Sequence, residues 1–287
     1  MLVAINSDRM DNFYGVAEKY LKTLASGSPI GYRVRRLLDE KPRKLMQLSA
    51  LPSEIKKLIN PVTITEDNVF LNPLTKVFID ELLIEWKNID TYKFHNLGVR
   101  NKMLLHGPTG NGKTTIAKHI SKLTGLPFVE VNSDYIIDSH LGKSSINIHK
   151  LFNELKEPCV LFWDEIDSIG RKRGLGTDSA AGMENERTIN SILVNLEKLD
   201  NQVIFIGATN RKEILDSAFL RRFDIMWELA TPSVSEKENF ATQMKDYYKL
   251  PNDFMPENID GINNFSEIKM RYMELARKYV LTQLTEK

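Results

Sequence analysis

One glycine-rich turn limits what this chain can fold into more than any other feature of its sequence. An apolar run ending at His106 precedes the turn and a helical pattern follows it, which is the strand–loop–helix order that the motif G-x-x-x-x-G-K-[ST] requires. The matching residues are Gly107, Pro108, Thr109, Gly110, Asn111, Gly112, Lys113, Thr114 and Thr115. The motif predicts a phosphate-binding loop at the carboxyl end of a buried strand.

The residue types in this turn suit a nucleoside triphosphate. Glycine tolerates backbone angles that aim several N–H groups at one anion, and the helix that follows presents its positive dipole end to the same place. In such a loop we expect Lys113 to bridge the β- and γ-phosphates and the Thr114 hydroxyl to bind Mg²⁺. The predicted cofactors are therefore ATP and Mg²⁺.

A second predicted strand ends in two carboxylates. Residues 160–163 are apolar throughout, as in a buried strand, and Asp164 and Glu165 follow them directly. Ligands in open α/β sheets bind outside the carboxyl ends of the strands. We expect Asp164 to hold Mg²⁺ through its water shell and Glu165 to orient and polarise the attacking water.

The order of apolar runs indicates an α/β fold. Short runs alternate with helical stretches after residue 100, and this alternation predicts a parallel sheet with helices on both faces. The runs are Met103–Leu105, Phe128–Val131, Val160–Trp163, Val203–Ile206 and Ile225–Leu229. We predict a helical N-terminal region at 1–48, a proline-rich linker at 49–73, a large α/β domain at 74–232 and a helical lid at 233–287.

Composition narrows the function classes further. The net charge of the 287 residues is +1, which gives no reason to expect nucleic acid or acidic lipid as the main partner. The single cysteine, Cys159, lies in an apolar run and is expected to be a buried small hydrophobe. We find no apolar stretch near ~20 residues and no secretory signal at the N-terminus, so we predict a cytoplasmic protein without a membrane partner.

Three further motifs resemble those of the AAA+ ATPases and occur in the order typical of that family. Residues 164–173 resemble the extended acidic motif, residues 207–210 resemble sensor 1, and residues 215–224 resemble the arginine-finger segment. The resemblance covers roughly residues 75–285. It implies a P-loop NTPase core with a five-stranded parallel sheet, a small C-terminal helical lid and a short N-terminal helical region.

The same resemblance assigns roles to individual residues. Asn210 would hydrogen-bond the attacking water or the γ-phosphate, and Arg221 and Arg222 would reach the nucleotide of a neighbouring subunit. Many relatives separate the two arginines with Pro-Gly, whereas here they are adjacent. Either one could be the finger, with the other anchoring the loop. Asn132 is either a switch that holds Glu165 inactive or a simple turn residue.

Two regions depart from the family pattern. His140 stands in the predicted pore loop, residues 139–143, where protein-threading relatives carry an aromatic residue that grips polypeptide by packing. Both a pore loop and a plain surface loop fit this segment. Ser266 is expected to cap the lid helix. Lys269 and Arg271 are the candidates for the second sensor, with exposed helix charges as the alternative.

The predicted function is ATP hydrolysis coupled to remodelling or regulation of a protein partner. The resemblance implies a homo-oligomeric ring, with a hexamer as the expected form, and an unidentified protein substrate or effector. A separate effector or protease in a bacterial defence or quality-control system is one setting. The alternatives are a nucleic-acid-stimulated motor or loader, against which the near-neutral charge argues mildly, and a nucleotide-gated assembly scaffold.

Overall fold

The computed structural model describes residues 46–62, 69–136, 143–169, 180–251 and 261–285, all within one compact unit, Leu45–Lys287. The predicted N-terminal helices up to residue 45 and the part of the predicted pore loop at 139–142 lie outside the described residues. No helix in the described ranges combines the length and the apolar character that crossing a bilayer would need.

A six-stranded sheet forms the centre of the described unit. Its strands are β1 (Ile59–Pro61), β2 (Lys102–His106), β3 (Phe128–Val131), β4 (Cys159–Trp163), β5 (Val203–Thr209) and β6 (Ile225–Glu228). The spatial order is β1-β3-β4-β5-β2-β6, and every neighbouring pair is parallel except β1 with β3. The five apolar runs in the sequence correspond to β2 through β6, so the predicted α/β class is confirmed.

The sixth strand is an addition that the sequence analysis missed. β1 lies within the predicted linker and pairs antiparallel with β3 at the edge of the sheet. Leu58 and Ile59 are buried there, and the Leu58 carbonyl accepts a 2.9 Å hydrogen bond from the Asn132 N–H. Three residues ending in a proline are too few to show the alternation by which strands are recognised, and proline is tolerated on an edge strand.

Helices cover both faces of the sheet. In the described residues they are α1 (Ser53–Lys57), α2 (Pro73–Lys87), α3 (Ile89–Phe94), α4 (Lys113–Thr124), α5 (Ser133–Ile136), α6 (Lys143–Glu154), α7 (Ala180–Glu197), α8 (Ser217–Leu220), α9 (Val234–Tyr248) and α10 (Phe265–Thr285). Side chains alternate along a strand, so β2 contributes to the core on both faces of the sheet. Met103 and Leu105 pack in the core cluster that includes residues of α4. Leu104 packs in the other cluster, which includes residues of α6.

The buried strand β4 contains the single cysteine. The Cys159 side chain is fully buried, and burial raises the pKa of its thiol to about 12. A thiol that stays protonated is a poor nucleophile. The expectation of a buried small hydrophobe at Cys159 is therefore confirmed.

The region predicted to be a lid contains the two helices α9 and α10, which share a separate apolar core that includes Phe240, Ile268 and Tyr272. The described residues 233–251 and 261–285 contain no strand, in agreement with the sequence pattern. The N-cap expected at Ser266 is wrong. The helix begins one residue earlier, because the Asn264 side chain accepts a 2.8 Å hydrogen bond from the Glu267 N–H and so caps the first turn.

A buried carboxylate fixes α2 to the segment that enters β2. Glu85 is 2% exposed, and its Oε2 accepts from Arg100 Nε at 2.9 Å and pairs with a terminal guanidinium nitrogen at 2.9 Å. The neighbouring Trp86 is also buried and donates from Nε1 to the Arg100 carbonyl. Trp86 packs in the same core cluster as Met103 and Leu105 of β2, and the two contacts set the position of α2 beside the sheet.

Removal of the Glu85 carboxylate should destabilise the fold. We expect Glu85→Ala to lower the free energy of unfolding by about 2 kcal/mol, because the Arg100 guanidinium and N–H lose a desolvated partner. Glu81→Ala is the matched control, since Glu81 is exposed on the same helix. Urea unfolding followed by circular dichroism measures both, and equal midpoints for the two variants would contradict the expectation.

Candidate functional site

The glycine turn joins β2 to α4 and packs tightly against the chain that follows β6. A Cβ on Gly107 would lie 2.3 Å from the Leu229 carbonyl oxygen, so no larger residue fits there. Gly107, Gly110 and Gly112 have φ angles of 134°, 83° and 86°, a region that disfavours residues with a side chain. The glycines predicted from the motif therefore occupy the positions where the backbone needs them.

Lys113 is a nearly buried cation inside this turn. Its side chain is held by two loop carbonyls: Nζ donates to Gly107 O at 2.8 Å and to Pro108 O at 2.9 Å. The residue is only 7% exposed. Burial lowers the pKa of the ammonium, while the nearby carboxylates of Asp164 and Asp167 raise it. The first turn of α4 thus places positive charge where the helix dipole is also positive.

Two oxygen-bearing side chains meet beside Lys113. The Thr114 hydroxyl donates a 3.2 Å hydrogen bond to Asp164 Oδ2, which joins the start of α4 to the end of β4. A hydroxyl and a carboxylate are hard oxygen ligands that suit Mg²⁺, which keeps most of its coordination sites for water and phosphate. In the ranges that the structure describes, no group of three or more His, Cys, Asp or Glu could hold a metal ion by itself.

Glu165 follows with an unusual backbone. Its φ and ψ are 48° and 42°, the left-handed region that non-glycine residues rarely adopt, and its side chain is exposed. Its N–H donates a 2.9 Å hydrogen bond to Asp164 Oδ1, which stabilises the turn. Backbone strain of this kind concentrates at functional sites. The turn leaves the Glu165 carboxylate accessible to water at the carboxyl edge of the sheet.

Asn210 lies between the two halves of the site. It follows β5, which the sheet order places between β4, with its acidic pair, and β2, which leads into the glycine turn. Its side chain is exposed at the strand end. The preceding Thr209 is 1% exposed, and its hydroxyl donates a 2.7 Å hydrogen bond to Asp167 Oδ1. Sequence reasoning missed this contact, although Asp167 belongs to the acidic run.

The two adjacent arginines have different surroundings. Arg222 forms a 2.5 Å ion pair with Glu197 at the end of α7, and Arg221 is exposed just beyond α8. The next two residues tether the segment: Phe223 is buried, and Asp224 Oδ2 accepts from the backbone N–H groups of Asn101 and Lys102 at 3.1 Å and 3.0 Å. The structure therefore ties Arg222 to α7 of the same chain and exposes Arg221.

Asn132 lies at the end of β3, one strand away from the acidic pair. Its side-chain amide donates a 3.2 Å hydrogen bond to Asn60 Oδ1 on the edge strand β1. Its carbonyl accepts from the N–H groups of Tyr135 and Ile136, so Asn132 also opens the short helix α5. The switch role and the turn role proposed for this residue are compatible with these contacts.

A cavity of about 290 Å³ lies between the glycine turn and the lid. It is lined on one side by Gly110, Asn111 and Gly112 and on the other by aromatic residues, among them Phe70, Phe240 and Phe265. A concave pocket with a mixed polar and apolar lining next to a phosphate loop suits a planar heterocyclic base, which has apolar faces and polar edges. The cavity therefore gives the remainder of a nucleotide a place beside its phosphates.

The lid is fastened directly to the glycine turn. The backbone N–H and the hydroxyl of Ser266 each lie 3.1 Å from the Gly110 carbonyl oxygen and donate to it. Asn111 completes the fastening on the other side, because its side-chain amide donates to Leu229 O at 3.3 Å and to Ala230 O at 2.9 Å. These contacts join the phosphate loop to the segment that leads into α9 and to the first turn of α10.

The two second-sensor candidates differ in position. Lys269, three residues after Ser266, lines the cavity, whereas Arg271 forms a 2.8 Å ion pair with Glu267 on its own helix. An i,i+4 ion pair of this kind is typical of a solvated helix surface. Of the two candidates, the position of Lys269 is the one that a bound nucleotide can reach.

Comparisons with known proteins agree with this geometry. A family model described as "ATPase family associated with various cellular activities (AAA)" matches residues 103–231. The chain is 33% identical over 228 residues to the AAA family ATPase y4kL of Sinorhizobium fredii, a match covering 78% of this chain and 66% of y4kL.

Two further similar proteins share a shorter stretch with the chain. The ATP-dependent zinc metalloprotease FtsH of Rhodothermus marinus is 38% identical over 163 residues, which cover 54% of this chain and 23% of FtsH. The peroxisomal ATPase PEX6 of Dictyostelium discoideum is 40% identical over 149 residues, which cover 50% of this chain and 12% of PEX6. The chain thus spans just under two thirds of y4kL and less than a quarter of the other two proteins.

A side chain at Gly107 should disrupt the turn. We expect Gly107→Ala to lower the free energy of unfolding by about 2 kcal/mol or more and to abolish nucleotide binding, because the new Cβ would clash with the Leu229 carbonyl. Gly98→Ala is the control, since a Cβ there meets nothing within 4 Å. Thermal unfolding and titration with a fluorescent ATP analogue measure the two effects. Wild-type affinity in Gly107→Ala would show that the close approach is unimportant.

Proposed function

The chain belongs to the AAA family of ATPases, and on that premise we propose that it hydrolyses ATP as a homo-oligomeric ring and uses the energy to remodel or regulate a protein partner. One observation carries the proposal. The Thr114 hydroxyl and the Asp164 carboxylate come from separate elements and meet at 3.2 Å, beside the buried ammonium of Lys113. This cluster of two oxygen ligands and a cation matches what a Mg²⁺-bound triphosphate needs.

Each residue of the site has a definite task in the proposed reaction. The loop N–H groups and Lys113 bind the phosphates, while Thr114 and Asp164 hold Mg²⁺ directly or through water. Bound Mg²⁺ would neutralise charge on the phosphate oxygens. Glu165, exposed on its left-handed turn, accepts a proton from the attacking water, and Asn210 orients that water from the neighbouring strand end.

The arginines support a site shared between subunits. Arg222 is paired with Glu197 in its own subunit, and Arg221 is exposed on the surface beside it. We infer that Arg221 is the residue that reaches the nucleotide of the next subunit and that Arg222 holds the segment in position. A cation delivered by a neighbour stabilises the charge of the phosphoryl-transfer transition state, so hydrolysis would depend on assembly.

A protein rather than a nucleic acid is the proposed target. Two of the similar proteins are named as an ATP-dependent metalloprotease and a peroxisomal ATPase, and the net charge of +1 offers no excess positive charge for a phosphate backbone. A hexameric ring, an effector or protease in a separate chain, and a cytoplasmic location belong to the same proposal. ATPase assays with added unfolded protein, DNA or RNA test it, and stimulation by nucleic acid alone would overturn the choice of target.

Neutralising Glu165 should separate binding from turnover. We expect Glu165→Gln to bind ATP with near wild-type affinity and to lose hydrolysis by about 10²-fold or more, since the amide cannot accept the proton of the attacking water. Lys113→Ala should lose ATP binding itself, because it removes the cation of the loop. Equilibrium binding and steady-state phosphate release distinguish the two variants. ATP turnover by Glu165→Gln at the wild-type rate would remove Glu165 from the mechanism.

The Glu165→Gln variant can also be used to identify the protein partner. Held in its ATP-bound form, Glu165→Gln should retain a bound protein that the wild type releases after hydrolysis. Affinity purification with ATP, compared with ADP and with Lys113→Ala, identifies a protein whose retention depends on bound ATP. The same proteins in all three samples would show no nucleotide-dependent partner.

Single substitutions should separate the two arginines. We expect Arg221→Ala to keep ATP binding and to lose turnover by about 10³-fold or more. Mixing Arg221→Ala subunits with Lys113→Ala subunits should restore part of the activity. The Lys113→Ala subunit keeps its Arg221 and can supply it to the intact nucleotide pocket of a neighbouring Arg221→Ala subunit. Glu197→Ala should change ATP turnover by the same factor as Arg222→Ala, because each substitution removes the ion pair between Arg222 and Glu197. Normal turnover by Arg221→Ala would contradict its assignment as the finger.

A further inference from the structure

A lysine that follows β5 contacts the strand that leads into the glycine turn. Lys212 begins the one-turn helix Lys212–Ile214, and its Nζ lies 3.2 Å from Nε2 of His106. His106 is the last residue of β2 and is only 8% exposed. The two residues are 106 positions apart in the sequence. The contact therefore ties the connection after β5 to the strand that precedes the phosphate loop.

The chemistry of this contact determines the protonation of the His106 ring. An ammonium group has donors only, so Nε2 must be the unprotonated acceptor and the ring proton must be on Nδ1. The surroundings of the ring favour this neutral form. Burial lowers the pKa of His106, the cations Lys212 and Lys113 lower it further, and the Glu228 carboxylate on β6 opposes them. The His106 ring is therefore suited to accept a hydrogen bond from Lys212.

Asn210 lies on the turn between two residues that are tied to the sheet edge. On its amino-terminal side is the buried Thr209. The Thr209 carbonyl accepts from the Gly107 N–H at 3.3 Å, and the Thr209 hydroxyl donates to Asp167 Oδ1 at 2.7 Å. On the carboxyl-terminal side, Lys212 is tied to β2. The turn that carries Asn210 is thus fixed on both sides, next to the first residue of the phosphate loop.

We propose that His106 is a positioning residue, which accepts the Lys212 ammonium and so holds the turn where the Asn210 amide can orient the attacking water. Asn210 lies beyond β5 and its side chain is exposed, so its position depends on the anchors on either side. A small displacement of a group that orients a reactant lowers the rate steeply. This inference rests on the proposed ATPase function and on the role proposed for Asn210, and it adds a pair of residues to that site.

Substitutions at both ends of the contact test the proposal in the 287-residue chain. Lys212→Met keeps the length of the side chain and removes its donors. We expect kcat for ATP hydrolysis to fall about tenfold, the factor that corresponds to one hydrogen bond from a charged group, while KM for ATP stays unchanged. His106→Leu should lower kcat by the same factor, and the double variant should lower it no further. His106→Gln should keep most of the activity, because its amide oxygen can accept at nearly the reach of Nε2.

An Asn210→Ala background shows whether the contact acts through Asn210. In that background Lys212→Met should have no further effect on kcat, because the group that the contact positions is gone. Arg211→Met is the matched control, since it removes one positive charge from the same turn and the Arg211 side chain is exposed. We expect Arg211→Met to leave kcat unchanged.

The tautomer of His106 gives a readout that does not depend on turnover. The ring-nitrogen chemical shifts of His106, assigned by comparison with His106→Gln, should show a neutral ring with its proton on Nδ1 at neutral pH. Lys212→Met should shift the Nε2 signal, because it removes the donor from that nitrogen. A ring protonated on Nε2 could not accept from Lys212 and would overturn the inference.

The kinetic outcomes separate the inference from the function that it depends on. Equal losses of kcat from Lys212→Met with and without Asn210 would show a purely structural role and overturn the inference. A change in KM alone would also overturn it, because Lys212 would then bind the nucleotide instead of positioning the turn. Both results leave ATP hydrolysis by the wild type intact. A wild-type chain without ATPase activity under any condition would instead refute the proposed function itself.

Discussion

The whole site depends on the alignment of strand ends that lets Thr114 hydrogen-bond to Asp164. Both residues are attached to rigid elements: Thr114 is the second residue of α4, and Asp164 follows the fully buried strand β4. Their meeting requires β2 and β4 to lie on either side of β5 in one sheet with their carboxyl ends aligned. Three other residues proposed for the site lie at the same edge: Glu165 follows β4, Asn210 follows β5 and Asn132 follows β3.

The glycine turn connects this edge to the lid. Its close approach to Leu229 joins the phosphate loop to the segment that leads into α9, and the hydrogen bonds of Ser266 to Gly110 join it to the first turn of α10. A change at the phosphates therefore has a short physical route to the lid. In a ring, the exposed Arg221 would provide the corresponding route to the next subunit, and the ion pair between Arg222 and Glu197 would steady it.

Most residues of the proposed site could be located from the sequence because they lie in local patterns. The turn from Gly107 to Thr115 needs only a strand, a helix and glycines at the right spacing, and the acidic pair needs only a buried strand before it. The position of β1, the tether at Asp224 and the contact of Ser266 with the glycine turn were not predictable. Their partners lie far away in sequence: β1 pairs with β3, Asp224 binds the N–H groups of Asn101 and Lys102, and Ser266 binds Gly110.

The sequence alone determined the fold class, the phosphate loop with Lys113 and Thr114, and the carboxylates Asp164 and Glu165. Each of these can be recognised from the periodicity and chemistry of consecutive residues, without knowledge of their contacts in space. Only the tertiary structure decided which arginine is tethered and where the Asn132 amide binds. Those outcomes depend on Glu197 and Asn60, which long-range packing brings to the site and which no local pattern distinguishes from ordinary surface residues.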